Sequence, residues 1–282
     1  MPTFTNVATL TYRGLVASSN PVTGELRSVL AVSVAAAGDS YLPGGDVTYA
    51  IGLVNTGGTP LSGLTVTDDL GAPAAGGAPA PLSYVPDSAR LFADGLPQPV
   101  PAATAGPPLV FSGLAVPAGG SAVLVYRARV NQYAPPAAGG SITNTISVTG
   151  AGLSSVPTAT ETVEAAERPI LSVVKSLSPT SVTANSRVTY TFVIQNAGNT
   201  AAEATEAAVL SDVFDPILAD LSVTFDGAPW SAPAHYAYDA DTGAFSTVPG
   251  QLTVPAATAE QADDGSWTIR PGRSTLVVSG TV

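Results

Sequence analysis

The sequence predicts an all-β protein built from two tandem β-sandwiches, preceded by a strand-forming arm. Short runs rich in β-branched and aromatic residues, such as residues 47–54, recur along the chain between Gly, Pro, Asn and Asp turns. The second half of the chain repeats the first. A length of 282 residues is also enough for about two domains, each with its own core. No long stretch has the period of a helix, so we expect strands almost throughout.

The arm is predicted over residues 1–26, and the strand within it repeats a later strand of the chain. Residues 4–12 read FTNVATLTY and residues 142–150 read ITNTISVTG, a match at a constant offset of 138. The second copy closes the first sandwich, so the first copy is predicted to be a spare closing strand, unpaired within its own subunit. Alternation puts threonines on one face of it. The other face, predicted to be buried on assembly, carries Phe4, Asn6, Ala8, Leu10 and Tyr12.

The first sandwich is predicted over residues 27–164 and the second over residues 165–282. Both contain the triplet VTY, at 47–49 and at 188–190, and each triplet leads through an apolar strand to an Asn-x-Gly turn. The offset between later matches drifts, as insertions in loops would make it. Each half is therefore predicted to be one sandwich of about seven strands.

The second sandwich is expected to stop one strand short at Val282, leaving an unpaired edge and an apolar groove beside Leu276, Val278 and Val282. Because residues 142–150 lead into the second sandwich, the matching arm is expected to fill a sandwich that precedes the first one. The sequence thus predicts donation of the arm to another copy and a head-to-tail homopolymer. The alternatives are the frayed boundary of a longer array and an edge strand of the first sandwich.

The repeat also resembles a known family. The residues that carry the resemblance are YTFVIQNAGN at 190–199, LSD at 210–212, their counterparts around 49–69, and the closing strand with Asn144. They resemble the bacterial surface repeat called the conserved repeat domain, or domain of unknown function eleven. The resemblance implies immunoglobulin-like sandwiches in tandem on extracellular or surface proteins, with no catalytic residues to carry over. One copy's final strand stands here at the front, which departs from the family pattern.

Composition narrows the possible partners. Charged residues are 11% of the chain, the net charge is −11, and the sequence pI is near 4.2. Nucleic acids and anionic membranes select Lys and Arg clusters, so neither is expected as a partner. No apolar run is long enough for membrane insertion, and the N-terminus lacks the pattern of a secretory signal. The expected partners are identical subunits, in an extracellular or cell-surface location.

Catalytic, cofactor and metal sites are not expected. The chain has no cysteine and one histidine, His235, which has no second imidazole or thiolate with which to bind zinc. Residues 239–243 read DADTG and resemble the start of a calcium loop, but the later acidic ligand of that loop is absent, so a hairpin turn is predicted. Asp68 and Asp212 are predicted to cap strand ends through hydrogen bonds to the backbone.

A covalent bond between Lys175 and Asn6 is a minor hypothesis. In some surface sandwiches a buried lysine on the first strand attacks an asparagine on the last strand, assisted by a protonated carboxylic acid. Lys175 lies on the predicted first strand of the second sandwich, a donated arm would bring Asn6, and Asp212 is the candidate acid. However, Asn144 stands at the matching place in the first sandwich, where no lysine exists. The sequence therefore favours an asparagine that satisfies backbone groups.

The alternative function is a binding module, a fragment of a modular surface adhesin or stalk whose loops recognise a glycan or a protein. Exposed aromatic side chains would favour this alternative. The conspicuous candidates are Trp230, Trp267 and the pair Tyr236 and Tyr238.

Overall fold

The computed structural model describes residues 3–72 and 79–282. These residues divide into two compact units that meet in sequence at Glu164 and Ala165, except that Pro136–Gly140 belongs to the second unit. Both are immunoglobulin-like β-sandwiches, which confirms the predicted fold class. Within the described ranges a single 3-10 turn, Ala204–Glu206, is the one helical element. Residues 1 and 2 of the predicted arm lie outside the described residues.

The arm is a long β-hairpin, not the single unpaired strand that the sequence predicts. Its outer strands pair with each other, as do its inner strands, and the inner turn is Arg13–Gly14, where both φ angles are positive (47° and 79°). Such a two-residue turn matches the twist of the flanking strands. The four strands are β1 (Thr3–Asn6), β2 (Thr9–Tyr12), β3 (Leu15–Ser18) and β4 (Val22–Glu25). Apart from Gly24, every residue from 3 to 28 is exposed.

Beyond the arm, the first unit consists of two sheets. One has the strand order β11-β10-β14-β7-β5, with β9 also on β14, and the other has the order β12-β13-β8-β15-β16-β6. The strands are β5 (Leu30–Ala36), β6 (Ser40–Tyr41), β7 (Asp46–Asn55), β8 (Leu61–Asp68), β9 (Leu82–Tyr84), β10 (Arg90–Ala93), β11 (Leu96–Gln98), β12 (Ala102–Thr104), β13 (Leu109–Val116), β14 (Ser121–Val130), β15 (Ser141–Thr149) and β16 (Thr158–Ala165).

The second unit has a five-stranded sheet in the order β17-β18-β26-β20-β21, a three-stranded sheet in the order β19-β23-β22, and a separate hairpin of β24 and β25. The strands are β17 (Leu171–Ser178), β18 (Arg187–Asn196), β19 (Ser211–Val213), β20 (Ala219–Phe225), β21 (Ala228–Trp230), β22 (Tyr236–Tyr238), β23 (Ala244–Thr247), β24 (Thr258–Gln261), β25 (Trp267–Arg270) and β26 (Gly272–Thr281).

Hydrogen bonds and register show that the two units repeat each other. The side-chain amide of Asn55, at the end of β7, donates to the carbonyl of Thr59 at 2.8 Å, and Asn196, at the end of β18, donates to Thr200 at 2.7 Å. Leu30 of β5 lies opposite Asn55, just as Leu171 of β17 lies opposite Asn196. Strand β17 is therefore the counterpart of β5. The sequence match of Asp68 with Asp212 likewise makes β19 the counterpart of β8.

The predicted groove beside Leu276, Val278 and Val282 is in the wrong place. These residues belong to β26 or follow it, and β26 is bonded to β18 on one side and β20 on the other, so its backbone has no free edge. Leu276 and Val278 are fully buried in the core. The prediction took the last strand of the sequence to be the last strand of the sheet, but the edges of this unit are formed by other strands.

Candidate assembly interface

The first unit is closed by its own hairpin, β15 and β16. Strand β15 bonds to β8 on one edge and to β16 on the other, while β16 continues the sheet to β6. Because side chains alternate along a strand, one face of β15 points into the sandwich. That face is buried and carries Ile142, Asn144, Ile146 and Val148. The sheet therefore continues for three strands beyond β8.

Closure by this hairpin keeps the inner face of the opposite sheet out of solvent. The carboxylate of Glu161 on β16 accepts a hydrogen bond from the backbone N–H of Ala36 on β5 at 3.3 Å, so the two sheets meet there. Leu30 on β5 is only 4% exposed, and Tyr41 on β6 is 3% exposed. The hydroxyl of Tyr41 donates to the carbonyl of Pro135 at 2.6 Å.

The corresponding side of the second unit is open. Strand β19 bonds to β23, and within the described residues no strand takes the place that β15 occupies beside β8. Leu171, the counterpart of Leu30, is 41% exposed, and Val182, the counterpart of Tyr41, is also 41% exposed. Every residue of β17 is exposed, including those at the inward-facing positions of β5. The second unit thus presents both an unpaired strand edge and an uncovered apolar face.

The space left beside β19 is an apolar groove. Its volume is about 320 Å³, and it is lined by Leu171, Ser172, Val173, Ile194, Ala208, Val209, Leu210, Ser211, Leu252 and Val254. In the first unit the same space receives Val148, which lies opposite Val66 in the register of β15 on β8. Leu210 is the counterpart of Val66, because Asp212 matches Asp68. The groove is therefore where a closing strand would place its last apolar side chains.

The arm resembles the closing hairpin in more than its first strand. The offset of 138 that relates the two strands also relates Gly14 to Gly152, which both have a positive φ (79° and 85°) in the turn region. Each hairpin leads into a sandwich through a short connection, four residues from Glu25 to Leu30 and five residues from Ala165 to Leu171. The chain is thus hairpin, sandwich, hairpin, sandwich, in that order.

Pairing of the arm within its own chain leaves the relevant edge free. In the first unit β15 is held by its return strand β16 and still offers its other edge to β8. Strands β1 and β2 are held by β4 and β3 in the same way, and no other described strand bonds to them. Their outward apolar side chains stay in water, and Leu10, the counterpart of Val148, is 65% exposed.

At the centre of the closed first unit lies a buried polar cluster. Asn144 donates its side-chain amide to Oδ2 of Asp68 at 3.1 Å and to the hydroxyl of Tyr126 at 3.3 Å, and its Oδ1 accepts from the N–H of Gly71 at 3.2 Å. The Tyr126 hydroxyl also donates to Asp68. Burial raises the pKa of Asp68 to about 7, although hydrogen bonds from Leu70 N–H and from Asn144 oppose the shift. Asp68 also caps its strand end as predicted, accepting from Leu70 N–H at 2.7 Å.

The corresponding place in the second unit holds an ion pair. Nζ of Lys175 on β17 contacts Oδ2 of Asp212 on β19, so this pair bridges the two sheets across the open side. The ammonium also lies over three aromatic rings, 4.7 Å from the centroid of Tyr190, 5.6 Å from Phe192 and 5.7 Å from Phe214. Sequence reasoning named these two residues, but their contact follows only from the fold.

The remaining sequence candidates have structural roles. Residues 239–243 form the turn between β22 and β23, as predicted, with Oδ1 of Asp239 accepting from the N–H of Asp241 at 2.9 Å. The His235 ring stacks on Trp230, with 5.3 Å between centroids. Within residues 3–72 and 79–282, no three His, Asp or Glu side chains lie close enough to share a metal ion. In the same ranges no helix is long and apolar enough to cross a membrane.

The aromatic side chains proposed for ligand binding are mostly packed. Trp230 stacks on Phe225 with 4.7 Å between ring centroids, and Tyr236 is buried and stacks on Phe245 at 5.3 Å. The hydroxyl of Tyr238 donates to the carbonyl of Leu218 at 2.9 Å. Trp267 lies on the separate hairpin, in β25, away from the other three in sequence. These side chains do not form an exposed aromatic surface.

Solved structures similar to this chain include bacterial pilins, adhesin domains, a glycoside hydrolase and a fish transglutaminase. The major pilin subunit of Bacillus cereus is 11% identical, with a TM-score of 0.36, over 96% of this chain and 73% of the pilin. The pilus backbone protein of Streptococcus pneumoniae is 11% identical, with a TM-score of 0.33, over 87% of this chain and 55% of that one. A collagen-binding domain from a Staphylococcus aureus adhesin is 10% identical, with a TM-score of 0.30, over 50% and 98% respectively.

No protein-family model matches the chain, and no curated protein matches it either. Similarity to solved structures at these identities and scores says nothing about function. A function for this chain must therefore be argued from its own hairpins, edges and side-chain contacts.

Proposed function

We propose that this protein is a structural, non-catalytic subunit of an extracellular filament, in which the N-terminal hairpin of one copy closes the second unit of the next. The observation that supports the proposal is the match between a spare hairpin and a missing one. The arm repeats the sequence of β15, shares a positive-φ glycine with the loop after β15, and leads into a sandwich through a similarly short connection, and the second unit is open where such a hairpin lies in the first unit. The resemblance to a family of surface repeats agrees with this location.

The register of the first unit predicts how the arm would dock. Ile146 lies opposite Asp68 and Val148 lies opposite Val66. Carried over at the offset of 138, Ala8 would lie opposite Asp212 and Leu10 opposite Leu210. The return strand of the arm would then lie beside Val182, as β16 lies beside β6. The receiving sheet would gain the two central strands that it lacks, with backbone hydrogen bonds along both new edges.

The energetics favour a filled groove. Each large apolar side chain moved from water into a core contributes about 1.5 to 3 kcal/mol, and docking would bury Phe4 and Leu10 from the arm and Leu171 from the receiving unit. The new ladder adds about 0.5 to 1.5 kcal/mol per net hydrogen bond. The opposing entropy cost is reduced because the arm is already a hairpin, so its strands need not be ordered separately.

The order of the segments supports donation to another copy. The hairpin β15–β16 closes one sandwich and continues directly into the next. If the arm does the same, it closes one sandwich and continues into the first unit of its own chain, so the sandwich that it closes is the open second unit of a different copy. A contact of this kind is head-to-tail, and it repeats indefinitely unless the rotation closes a ring.

Deleting residues 1–25 tests the proposal. The truncated protein is expected to keep its first unit folded, because β15 and β16 are its own, and to form no filaments by negative-stain electron microscopy. A synthetic hairpin of residues 3–25 should then raise the melting temperature of the second unit without restoring filaments. Filaments from the truncated protein, or a peptide without effect on the second unit, would contradict donation and favour a fragment of a longer array.

A further inference from the structure

If the proposed function holds, the ion pair of Lys175 and Asp212 at the open side of the second unit lies where the arm of a neighbouring copy docks. Superposing the two units by register places three groups together. Asn6 takes the position of Asn144, whose amide nitrogen is 3.1 Å from Oδ2 of Asp68. Asp212 takes the position of Asp68, and Nζ of Lys175 already contacts its Oδ2. A docked Asn6 would therefore bring its amide to the same carboxylate oxygen that holds the lysine.

We propose that Lys175 of one subunit and Asn6 of the next form an isopeptide bond, so that the filament is covalently linked along its length. Lys175 is the only lysine of the chain, and the first unit has an apolar residue at the same position. Its counterpart on β5 is Val34, which lies opposite Ile51 as Lys175 lies opposite Phe192. The inward-facing position is thus apolar in the closed unit and cationic in the open one.

The side chains around Lys175 are smaller than their counterparts in the first unit, which leaves room for the longer lysine side chain. Tyr126, whose hydroxyl donates to Asp68, corresponds to Val278 in the second unit. Ile146 corresponds to Ala8 of the arm. Two large side chains of the first unit thus correspond to small ones around Lys175, which itself replaces a valine. The ammonium of Lys175 can therefore occupy the space that the tyrosine hydroxyl fills in the first unit. A change of volume at one position is tolerated when its neighbours compensate for it.

The environment suits the reaction once the hairpin is docked. The rings of Tyr190, Phe192 and Phe214 surround the ammonium, and the arm would remove the remaining water from the ion pair. Desolvation disfavours the charged forms of both groups, which promotes proton transfer from the ammonium to the carboxylate. The products of that transfer are a neutral amine, which is a nucleophile, and a carboxylic acid, which can donate a proton.

The chemistry balances without any further reagent. Nζ of Lys175 gives one proton to Asp212 and attacks Cγ of Asn6. The Nζ–Cγ bond forms and the Cγ–Nδ2 bond breaks, while Asp212 passes a proton to the departing nitrogen and receives one from the new amide. The products are a secondary amide, one ammonia and a protonated Asp212, which returns its proton to solvent. No oxidant, reductant or metal is consumed.

Mass spectrometry of assembled material after boiling in detergent tests the bond. Wild-type filaments should give a ladder of covalent multimers, each lighter than the sum of its subunits by one ammonia per link, and a branched peptide joining Lys175 to Asn6. Lys175→Arg and Asn6→Ala should give only monomers of full mass after boiling, even from material that forms filaments in native microscopy. Asp212→Asn should slow growth of the ladder by at least about 100-fold. Asn20→Ala, which removes another arm asparagine, is the matched control and should leave the ladder unchanged.

The outcomes separate the two proposals. Native filaments that boil to monomers of full mass would overturn the bond and leave hairpin donation standing. A ladder that persists in Lys175→Arg would also overturn it, because the cross-link would then use another nucleophile. Absence of native filaments in the wild type would overturn the proposed function, and this inference with it.

Discussion

The two units share one strand arrangement but differ in whether that arrangement is complete. In the first unit, β15 and β16 cover the inner face of β5, and Leu30 is almost fully buried. In the second unit, Leu171 occupies the same register position and is exposed. The two residues are identical, so the difference in burial comes from the missing hairpin and not from the sequence of β17. An apolar strand that is exposed to solvent indicates a surface that binds a partner.

A second difference lies at the centre of the inner face. The first unit satisfies Asp68 with a tyrosine hydroxyl and an asparagine amide from its own chain. The second unit satisfies Asp212 with a lysine. A buried polar group needs a partner, and the closed unit supplies both partners internally. The open unit supplies one, and in the proposed assembly Asn6 of a neighbour is the other.

The largest expected effect comes from placing a charge on the docking face of the arm. Leu10→Asp would bury an unpaired carboxylate opposite Leu210, at a cost on the order of 3 to 5 kcal/mol per interface, enough to prevent assembly at ordinary concentrations. Thr9→Asp places the same charge on the opposite face of the strand and should reduce assembly only slightly. Sedimentation of assembled material measures both. Equal effects of the two substitutions would show that the arm does not dock through this face.

A matched pair of substitutions sharpens the contrast between the units. Leu30→Ala should destabilise the first unit by about 2 to 3 kcal/mol, because it leaves a cavity in a closed core. Leu171→Ala should change the stability of the unassembled second unit by less than about 0.5 kcal/mol, because this side chain is exposed there. In filaments, Leu171→Ala should become destabilising. Urea unfolding of the arm-deleted and the assembled proteins provides the comparison, and a large effect of Leu171→Ala in the former would mean that the groove is already filled.

The buried carboxyl of the first unit predicts a pH dependence. The pKa of Asp68 is raised to about 7 in the folded state, whereas an unfolded aspartate has a pKa of about 3.9. Between about pH 4 and pH 7 the folded unit therefore binds more protons than the unfolded chain. Its stability should fall as pH rises through this window, by at most about 1.4 kcal/mol per pH unit.

Hydrogen exchange of peptides from β15, corrected for the intrinsic rate, measures this slope. Asp68→Asn removes the titrating group and should flatten it. A slope that is unchanged in Asp68→Asn would show that another group is responsible.

The sequence predicts the fold class and the repeat because both follow from local patterns. The match between residues 4–12 and 142–150 predicts that the arm contains a strand like β15, and the structure places strands there. The return strand does not follow from the match at an offset of 138, because SSNP at 18–21 and SSVP at 154–157 match at an offset of 136 instead. The shared Gly14 and Gly152 already extend the first match beyond the first strand. The sequence wrongly places the groove beside Leu276 and Val278, because strand order within a sheet is a long-range property that periodicity does not record.

The candidate site was predicted only in part. The predicted bond between Asn144 and the backbone is confirmed by the N–H of Gly71, but the contacts of Asn144 with Asp68 and Tyr126 require the fold. The size changes at Val278 and Ala8 are also invisible until strand register assigns their counterparts. Aligning the two halves of the sequence shows which residues correspond, but it does not show that Lys175 and Asp212 lie on different sheets and contact each other.

The most direct test of hairpin donation uses the absence of cysteine from the chain. In the first unit Ser147 lies opposite Thr67, so Thr9 of the arm should lie opposite Ser211 of a neighbour. A subunit with Thr9→Cys mixed with a subunit with Ser211→Cys should form a disulfide-linked dimer under mild oxidation, because cross-strand neighbours meet the required separation. Thr9→Cys mixed with Val213→Cys, two residues out of register, should form far less. No Thr9–Ser211 heterodimer in the mixture, together with a disulfide-closed monomer from the double variant, would contradict donation between subunits.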